Sequence, residues 1–333
     1  TYDAKTFFDT TAVSMAAPTP LAFSPDGASI LVATDRSGVF NAYALPVAGG
    51  EATPLTSSTT NAVFAISYFP GDDRILVSSD GGGDELSHIY VREADGTLKD
   101  LTPGDKHISQ FVGWSGDGGT FWLATNERNP QMFDVYAYSA ADFSRRLVFE
   151  TPGFYPAAVP PDGRWRALDK PITAADSDVY LADLTKPAKQ TPVLVTPNDA
   201  VIAHGVYDFT ADSKQLVYGT DEHGEFTQAW THDRATGEKK ELIKADWDVM
   251  FVTYSPSGRY RVSAINADAS TKLTILDQTT NAPLALTGVP AGDIGGVRFN
   301  RDETKIAFTV ASDTSPSDVF VADLATGAAT RLT

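Results

Sequence analysis

The chain has 333 residues and a formal net charge of −17, from 43 acidic and 26 basic residues. A surface this acidic repels phosphate groups, which argues against nucleic acids and anionic membranes as partners. The chain has no cysteine, so disulfide bonds, thiol catalysis and cysteine-ligated zinc are excluded, and no apolar run is long enough to form a transmembrane helix.

Residues 1–20 precede the repeated part of the sequence and are predicted to form an N-terminal arm. Residues 4–9 have the composition of a short helix in which Phe7 and Phe8 provide an apolar anchor. Pro18 and Pro20 then favour an extended entry into the first repeat, because proline fixes φ and disfavours helix at the residue before it.

From Phe23 onward, one pattern of four short predicted strands recurs seven times. Each copy has a large apolar residue at the end of its first strand, and in most copies an aspartate-containing turn follows. These apolar markers are 45 to 50 residues apart, at Phe23, Phe69, Trp114, Val159, Phe209, Tyr254 and Phe299. Four strands in a period of roughly 40 to 50 residues are typical of a propeller blade. The sequence therefore predicts an all-β fold, a seven-bladed β-propeller with four antiparallel strands per blade.

The propeller is predicted to occupy residues 21–333. Its blades are expected at about 21–57, 63–103, 108–149, 156–196, 205–244, 249–288 and 294–333. Every copy begins with its innermost strand and ends with its outermost strand, so no blade combines strands from both ends of the chain. The propeller is therefore expected to close without an interlocked blade, by apolar packing between blades 1 and 7, and this seam is expected to be its weak point.

A search for catalytic motifs finds no nucleophile elbow, P-loop or H-E-x-x-H motif. The nearest string, residues 113–117, lacks the last glycine of G-x-S-x-G. None of the five histidines lies at metal-ligand spacing from another. The best metal candidate is the loop with Asp221, Glu222, His223 and Glu225, although acidic loops of this kind are more often solvated turns. We therefore predict no catalytic residue, no metal ion and no cofactor in this chain.

An aspartate or asparagine stands where the second strand of a copy ends. The positions are Asp35, Asp80, Asn126, Asp221 and Asn266. Side chains of this type accept hydrogen bonds from loop backbone groups, so we interpret these residues as structural.

Acidic residues also occur in the loops between the second and third strands, which in a propeller share one face around the central channel. They are Asp84, Glu85, Glu127, Asp176, Glu222 and Glu225. Two interpretations are open. The residues form an ordinary solvated face, or some of them form an acidic rim that binds the amino group of a substrate. For the second interpretation, the candidate substrate-binding residues are Glu85, Glu127 and Glu222.

Several longer strings carry a family resemblance. They are residues 7–9 (FFD), 23–27 (FSPDG), 80–90 (DGGGDELSHIY), 126–129 (NERN) and 176–184 (DSDVYLADL). These strings resemble the propeller of bacterial serine peptidases of the prolyl oligopeptidase family, in particular the dipeptidyl-peptidase and acylaminoacyl-peptidase types. The short repeat motif is less specific, since it also resembles that of non-catalytic periplasmic propellers such as the Tol-system protein.

In that family, an α/β-hydrolase domain with a Ser-Asp-His triad follows the propeller, which caps the active site and admits short or unstructured peptides. The resemblance implies that this chain, which ends at Thr333, is the non-catalytic, substrate-gating propeller of such a peptidase. Its expected partners are the catalytic domain of the same polypeptide and short peptide substrates. No triad residue can be assigned to this chain. The amine-recognising glutamates of the family lie on propeller insertions, and no matching insertion is visible here. We expect a soluble protein, periplasmic or secreted rather than cytoplasmic.

Two other functions stay open on the sequence alone. One is a free-standing periplasmic interaction propeller that binds a protein or peptide on one face. The other is a propeller enzyme of the lyase or lactonase type, which requires a divalent metal ion held by acidic residues in the channel.

Overall fold

The computed structural model describes residues 10–17 and 20–333. These residues form 28 β-strands and no helix. The strands make seven four-stranded sheets, and each sheet consists of four strands that are consecutive in sequence and pair in antiparallel order. The predicted fold, an all-β seven-bladed β-propeller, is confirmed. Among these described residues, no sheet combines strands from both chain ends, as predicted. The helix predicted at residues 4–9 lies outside the described residues.

Blades 1, 2 and 7 belong to one compact unit, Thr1–Pro103 with Leu286–Thr333. Blade 1 consists of β1 (Val13–Met15), β2 (Ser29–Thr34), β3 (Asn41–Pro46) and β4 (Thr53–Pro54). Blade 2 consists of β5 (Val63–Tyr68), β6 (Ile75–Ser79), β7 (His88–Arg92) and β8 (Leu98–Asp100). Blade 7 consists of β25 (Asp293–Phe299), β26 (Lys305–Ser312), β27 (Ser315–Asp323) and β28 (Ala329–Arg331).

Blades 3 to 6 belong to the second unit, Gly104–Ala285. Blade 3 consists of β9 (Ser109–Trp114), β10 (Thr120–Asn129), β11 (Met132–Ser139) and β12 (Arg145–Phe149). Blade 4 consists of β13 (Tyr155–Ala158), β14 (Trp165–Thr173), β15 (Asp176–Asp183) and β16 (Val193–Leu194). Blade 5 consists of β17 (His204–Phe209), β18 (Gln215–Thr220), β19 (Gln228–Asp233) and β20 (Lys239–Ile243). Blade 6 consists of β21 (Asp248–Tyr254), β22 (Tyr260–Ala267), β23 (Ser270–Asp277) and β24 (Ala282–Pro283).

The second strand of every blade contains at least three consecutive buried residues. In β2, for example, Ile30, Leu31, Val32 and Ala33 are all buried. A strand covered on both faces is apolar throughout rather than alternating, which explains its uninterrupted apolar sequence. The fourth strands β4, β16 and β24 have only two residues each, and those residues are exposed. Short fourth strands leave little unpaired edge for other chains to pair with.

The recurring aspartate after the first strand stabilises a tight turn. In blade 1, Asp26 accepts hydrogen bonds from the Ser24 hydroxyl at 2.6 Å and the Ala28 amide at 2.9 Å. Gly27 in the same turn has a φ of 70°, a conformation that favours glycine. The same hydroxyl-to-aspartate bond recurs at Ser115 and Asp117 and at Thr210 and Asp212. In blade 7, Asp302 accepts instead from the hydroxyl of Thr304, which follows it by two residues. This aspartate is therefore a structural part of the repeat.

The first strand of blade 1 lies earlier than residue 21, where the sequence analysis placed the start of that blade. β1 pairs with β2 through Val13 and Thr34 at one end and Met15 and Val32 at the other. Phe23, the marker of the repeat, makes a single bridge to Ile30. The Ala16 amide donates to the Leu31 carbonyl at 2.9 Å, and the Leu31 amide donates to the Ala22 carbonyl at 2.8 Å. Two residues six positions apart thus pair with the same residue of β2, which hid β1 from a search that counted back from Phe23.

Residues 286–288, assigned to the end of blade 6 by the sequence analysis, extend the outer edge of blade 7. Thr287 forms a parallel bridge with Ala328. Its amide donates to the Gly327 carbonyl at 2.9 Å, and its carbonyl accepts from the Ala329 amide at 2.9 Å. The outermost strand of blade 6 is β24, which ends at Pro283.

The seam between blades 1 and 7 is mainly apolar. One core cluster includes Phe23, Ile30 and Val32 of blade 1 together with Ala307 and Val319 of blade 7, all fully or almost fully buried. A polar contact supplements this packing, since Arg298 Nε donates to the Ala16 carbonyl at 3.0 Å. Side-chain packing thus joins the first and last blades without strand exchange.

Phe23→Ala tests whether this seam is the weak point. Phe209 occupies the same repeat position in blade 5 and is equally buried, so Phe209→Ala is a matched control. Each change removes a buried ring and should reduce the free energy of unfolding by about 3 to 5 kcal/mol. Hydrogen exchange measured by mass spectrometry should show faster exchange in β1 and β27 for Phe23→Ala, whereas Phe209→Ala should leave both strands protected. Equal exchange of these strands in both variants would contradict a weak seam.

Candidate functional site

Each blade has two chemically different ends. Antiparallel order places the loop between the second and third strands at the same end as the segment that leads into the first strand. We call this the loop end. The turns between strands 1 and 2 and between strands 3 and 4 lie at the opposite end, the turn end. The three candidate substrate-binding residues, Glu85, Glu127 and Glu222, all lie at the loop ends of their blades.

The turn ends of blades 4 to 6 hold carboxylates that are already paired. Arg164 contacts Asp183 at 3.1 Å, Arg234 contacts Asp162 at 3.0 Å, and Arg259 contacts Asp277 at 2.8 Å. Hydrogen bonds from Arg259 and Thr279 hold the pKa of the Asp277 carboxyl well below its usual range. These charges serve the turns and leave little negative charge at this end for a cationic ligand.

A polar cleft of about 220 Å³ lies at the turn ends of blades 1 and 7. It is lined by residues of the two aspartate turns, including Asp26, Asp302 and Arg301. The Arg301 guanidinium donates to the carbonyl of Phe69 at 3.2 Å and to that of Pro70. This cleft therefore lies at the opposite end of blades 1 and 7 from their loop ends.

Glu85 lies in a loop that its acidic neighbours stabilise. Asp84 accepts hydrogen bonds from the Gly81 and Leu86 amides, at 3.2 and 3.0 Å, and Asp80 accepts from the Glu85 amide at 3.3 Å. Glu85 itself has a φ of 62° and an exposed side chain. A glutamate rarely adopts this left-handed conformation. The loop therefore uses Asp80 and Asp84 for its own structure and leaves the Glu85 carboxylate facing solvent.

Glu127 is engaged by neighbouring side chains of its own blade. Its Oε2 atom lies 3.0 Å from Arg145 Nη1, and its carboxylate accepts a hydrogen bond from the Tyr136 hydroxyl. Burial, with this carboxylate as a second cause, raises the pKa of Tyr136 to about 12. The Arg145 guanidinium also lies 4.7 Å from the centre of the Tyr136 ring. The negative charge of Glu127 is thus already compensated by Arg145.

Glu222 is less tightly paired than Glu127. The side chain of His223 lies beside it, with 3.9 Å between His223 Nε2 and Glu222 Oε2. The His223 ring packs against Trp230 with 4.3 Å between ring centres. Glu222 therefore keeps a carboxylate that can approach a ligand from solvent.

The metal candidate of the sequence analysis does not assemble into a cluster. The Asp221 carboxylate instead accepts a hydrogen bond from the Ala203 backbone amide at 2.9 Å. In residues 10–17 and 20–333, no group of three or more histidine and acidic side chains is arranged to hold a metal ion.

The residues that sequence reasoning missed are large apolar side chains exposed at loop ends. In blades 4 to 6 they are between 41% and 72% exposed, and they are Tyr155, Ile172, Val201, Trp247 and Met250. We call these five the apolar loop-end residues. In blade 2, Phe64 is also exposed, and its ring lies 5.0 Å from that of Phe40 at the loop end of blade 1. An aromatic residue within a polar connecting segment, as at Trp247, was a signal that could have been used.

Comparison with known families gives a direct result. The model of the prolyl oligopeptidase N-terminal β-propeller domain matches residues 57–333. This chain belongs to that family. A search of curated proteins found no match.

Solved structures with the same fold include several kinds of protein. Prolyl oligopeptidase B from Galerina marginata has a TM-score of 0.69 and 14% identity, with 96% of this chain and 51% of that chain covered. An oligogalacturonate lyase in complex with manganese has a TM-score of 0.70 and 14% identity, with 94% and 90% covered. TolB from Acinetobacter baumannii has a TM-score of 0.53 and 14% identity, with 95% and 78% covered. These likenesses show the fold alone. The chain spans about half the length of the prolyl oligopeptidases it matches.

Three of the five aspartates and asparagines that end second strands share one structural role in this prolyl oligopeptidase propeller. Asp35, Asn126 and Asp221 each accept a hydrogen bond from the residue just before the first strand of the same blade. The donors are the amides of Ala12, Ile108 and Ala203, at 2.8, 2.6 and 2.9 Å. Each bond fixes the path by which the chain enters its blade at the loop end.

Two partly buried aspartates link neighbouring blades in the second unit. Asp169 of blade 4 accepts a hydrogen bond from the Val206 amide of blade 5 at 2.9 Å. Asp208 of blade 5 accepts from the Thr253 hydroxyl of blade 6 at 2.5 Å. Burial raises the pKa of Asp169 to about 6 and also raises that of Asp208. Both carboxylates therefore lie in surroundings that favour their protonated forms.

Asp169→Asn tests the pH dependence that follows. Because its pKa of about 6 in the folded protein exceeds the value near 3.9 expected in the unfolded chain, the folded state binds more protons between these values. The contribution of Asp169 to stability should therefore fall as pH rises through this window. In urea unfolding, the free energy of unfolding of Asp169→Asn minus that of wild type should rise by about 2 to 3 kcal/mol between pH 4 and pH 7.

Asp212→Asn provides a control of opposite sign. The hydroxyl of Thr210 holds the pKa of the Asp212 carboxyl below its usual value, so this carboxylate contributes stability above the unfolded pKa and loses it as pH falls. Asp212→Asn should lose stability relative to wild type as pH rises through the unfolded pKa. Parallel pH profiles for the two variants would contradict the role of burial at Asp169.

Proposed function

We propose that this chain is the substrate-gating propeller of a serine peptidase of the prolyl oligopeptidase family. In this proposal, its loop ends cover the active site of an α/β-hydrolase catalytic domain in the same polypeptide, and only short peptides gain access. The observation that carries the proposal is the family match over residues 57–333. The coverage of about half of each prolyl oligopeptidase supports it, because the other half of those chains has no counterpart in this one.

The distribution of exposed apolar side chains supports the loop ends as the docking side. At the turn ends of blades 4 to 6, aspartates form ion pairs with arginines. At the loop ends of the same blades, the apolar loop-end residues are exposed to solvent. Exposed large apolar residues are typical of surfaces that another domain or protein covers. Docking of the catalytic domain at the loop ends would remove these side chains from water.

The charge distribution supports selection of peptides with a free amino group. The chain carries a formal net charge of −17, and a narrow opening lined by one sign of charge concentrates ligands of the opposite sign. Glu85 and Glu222 expose their carboxylates at loop ends, while Glu127 is paired with Arg145. We therefore propose Glu85 and Glu222, each at the loop end of its own blade, as the main amine-binding residues and give Glu127 a secondary role.

The simplest test of the proposed function uses the chain alone. The sequence contains no nucleophile elbow, so purified residues 1–333 should not hydrolyse aminoacyl or dipeptidyl chromogenic substrates. A polypeptide that joins this chain to its catalytic domain should hydrolyse them and should lose rate steeply as peptide length increases. Turnover by the isolated chain, or equal rates on short peptides and folded proteins, would contradict the proposal.

A free-standing interaction propeller is the second candidate, because the apolar loop-end residues would equally suit a separate protein partner. The likeness to TolB shows only the shared fold. The reading frame after Thr333 discriminates between the two functions, since only a gating domain needs a hydrolase sequence there. A periplasmic or secreted location stays a prediction, and among the described residues no helix is long and apolar enough to cross a membrane.

Glutamine substitutions test the acidic rim in the polypeptide that contains the catalytic domain. Glu85→Gln and Glu222→Gln should each raise KM about 3- to 10-fold for peptides with a free amino group, as expected for loss of one partly solvated charge pair. N-acetylated peptides should be unaffected. Glu127→Gln should have a smaller effect in the same direction, because Arg145 already neutralises that carboxylate. Equal changes for free and acetylated peptides would rule out amine recognition.

Serine substitutions test the docking side. Trp247→Ser should weaken binding of a separately expressed catalytic domain about 10-fold or more, as expected for an aromatic residue buried at an interface. Val193→Ser is a matched control, since Val193 is also exposed in this unit but lies on the outer strand β16. Calorimetry should show wild-type affinity for the control. The same loss of affinity in both variants would place the docking surface elsewhere.

A further inference from the structure

Arg166 is the largest side chain that is fully buried in the described structure. It lies in β14, the second strand of blade 4, and none of its surface is accessible to solvent. Its Nε, Nη1 and Nη2 atoms have no hydrogen-bond partner among the described residues. A guanidinium group has five N–H donors, so an entire cationic donor set is buried here without an acceptor.

The surroundings of Arg166 are apolar. Arg166 pairs with Ala182 on the neighbouring strand and lies two residues before Leu168, so the three side chains share one face of blade 4. Ala182 and Leu168 belong to a core cluster whose blade 3 members include Trp122, Val135 and Phe149. The guanidinium group therefore lies in the apolar layer between blades 3 and 4.

The sequence repeat shows that the fold does not require arginine at this position. Five blades have an apolar residue at the equivalent position of the second strand, namely Ile30, Ile75, Phe121, Leu216 and Ile306. Blade 6 has Arg261 at this position. Arg261 is only partly buried, and Nε is its one guanidinium atom that is buried without a hydrogen-bond partner. Complete burial of an unpaired arginine is thus specific to blade 4.

An unpaired cation in an apolar layer is strongly unfavourable unless an anion or other acceptor accompanies it. Loss of the proton does not relieve this cost at neutral pH. Burial lowers the pKa of Arg166 to about 9, which still leaves the group charged at pH 7. The Arg166 guanidinium therefore requires a counter-ion small enough to enter a closely packed layer.

We propose that the Arg166 guanidinium binds a small monovalent anion, of the chloride class, between blades 3 and 4. One guanidinium group compensates one negative charge. Full burial within a packed core restricts the ligand to a small ion, which excludes a carboxylate-bearing peptide or a phosphate ester. The bound anion would accept the guanidinium N–H groups and would stabilise the contact between the two blades. This inference is independent of the proposed peptidase function.

Thermal unfolding of the full chain in chloride and in gluconate, at equal ionic strength, tests the proposal. Gluconate is too large to enter the layer. The midpoint of wild type should rise by a few degrees with chloride and should saturate, as expected for a ligand that binds only the folded state. Arg261→Leu, the matched control, should keep this response. Arg166→Leu should lose it and should be at least as stable as wild type in gluconate. A chloride response in Arg166→Leu, or none in wild type, would overturn the proposal.

Bromide provides a second measurement that does not depend on folding of the variant. Crystals of wild type grown with bromide should show an anomalous peak within hydrogen-bonding distance of the Arg166 guanidinium. Ordered water alone at that place, or bromide at surface positions only, would overturn the anion site.

Discussion

The structure depends on the burial of each blade's second strand by its neighbours. β2 and β18 are buried along almost their entire length, so a single four-stranded sheet would expose apolar side chains on both faces. Each blade is therefore stable only against adjacent blades. This constraint makes inter-blade contacts the places where polar groups have the largest effect. It also leaves the two ends of each blade free to vary, because they carry little of the packing.

The two ends have diverged in chemistry. At the turn ends, aspartates such as Asp26 accept hydrogen bonds within their own turn. Others, such as Asp183 and Asp277, form ion pairs with arginine. At the loop ends, some acidic residues fix the chain entry, as Asp221 does, while Glu85 and Glu222 face solvent. Negative charge alone therefore does not identify a binding face. The distinction lies in whether a carboxylate is already satisfied by its own loop.

The periodic features of the fold could be predicted from the sequence, and the non-periodic ones could not. The recurrence of Phe23 and its equivalents gave the blade number because the same packing problem is solved seven times. β1 was missed because Ala16 and Ala22 both pair with Leu31, which breaks a count of residues back from Phe23. The pairing of Glu127 with Arg145 was also missed, since 18 residues separate them and their contact depends on strand register. Arg166 was overlooked because the residues on both sides of it in β14, Trp165 and Ala167, are apolar.

The inter-blade polar groups show how this propeller tolerates polarity in its core. Asp169 and Asp208 are partly buried, but each accepts a hydrogen bond from the first strand of the following blade, so they tie neighbouring blades together. Arg166 is fully buried and has no such donor–acceptor match. In a packing layer that is otherwise apolar, a satisfied carboxylate specifies blade register, whereas an unsatisfied cation must recruit its own partner. The same position in five blades shows that an apolar residue would suffice for packing. Arginine in blade 4 is therefore better explained by a bound ion than by the architecture of the propeller.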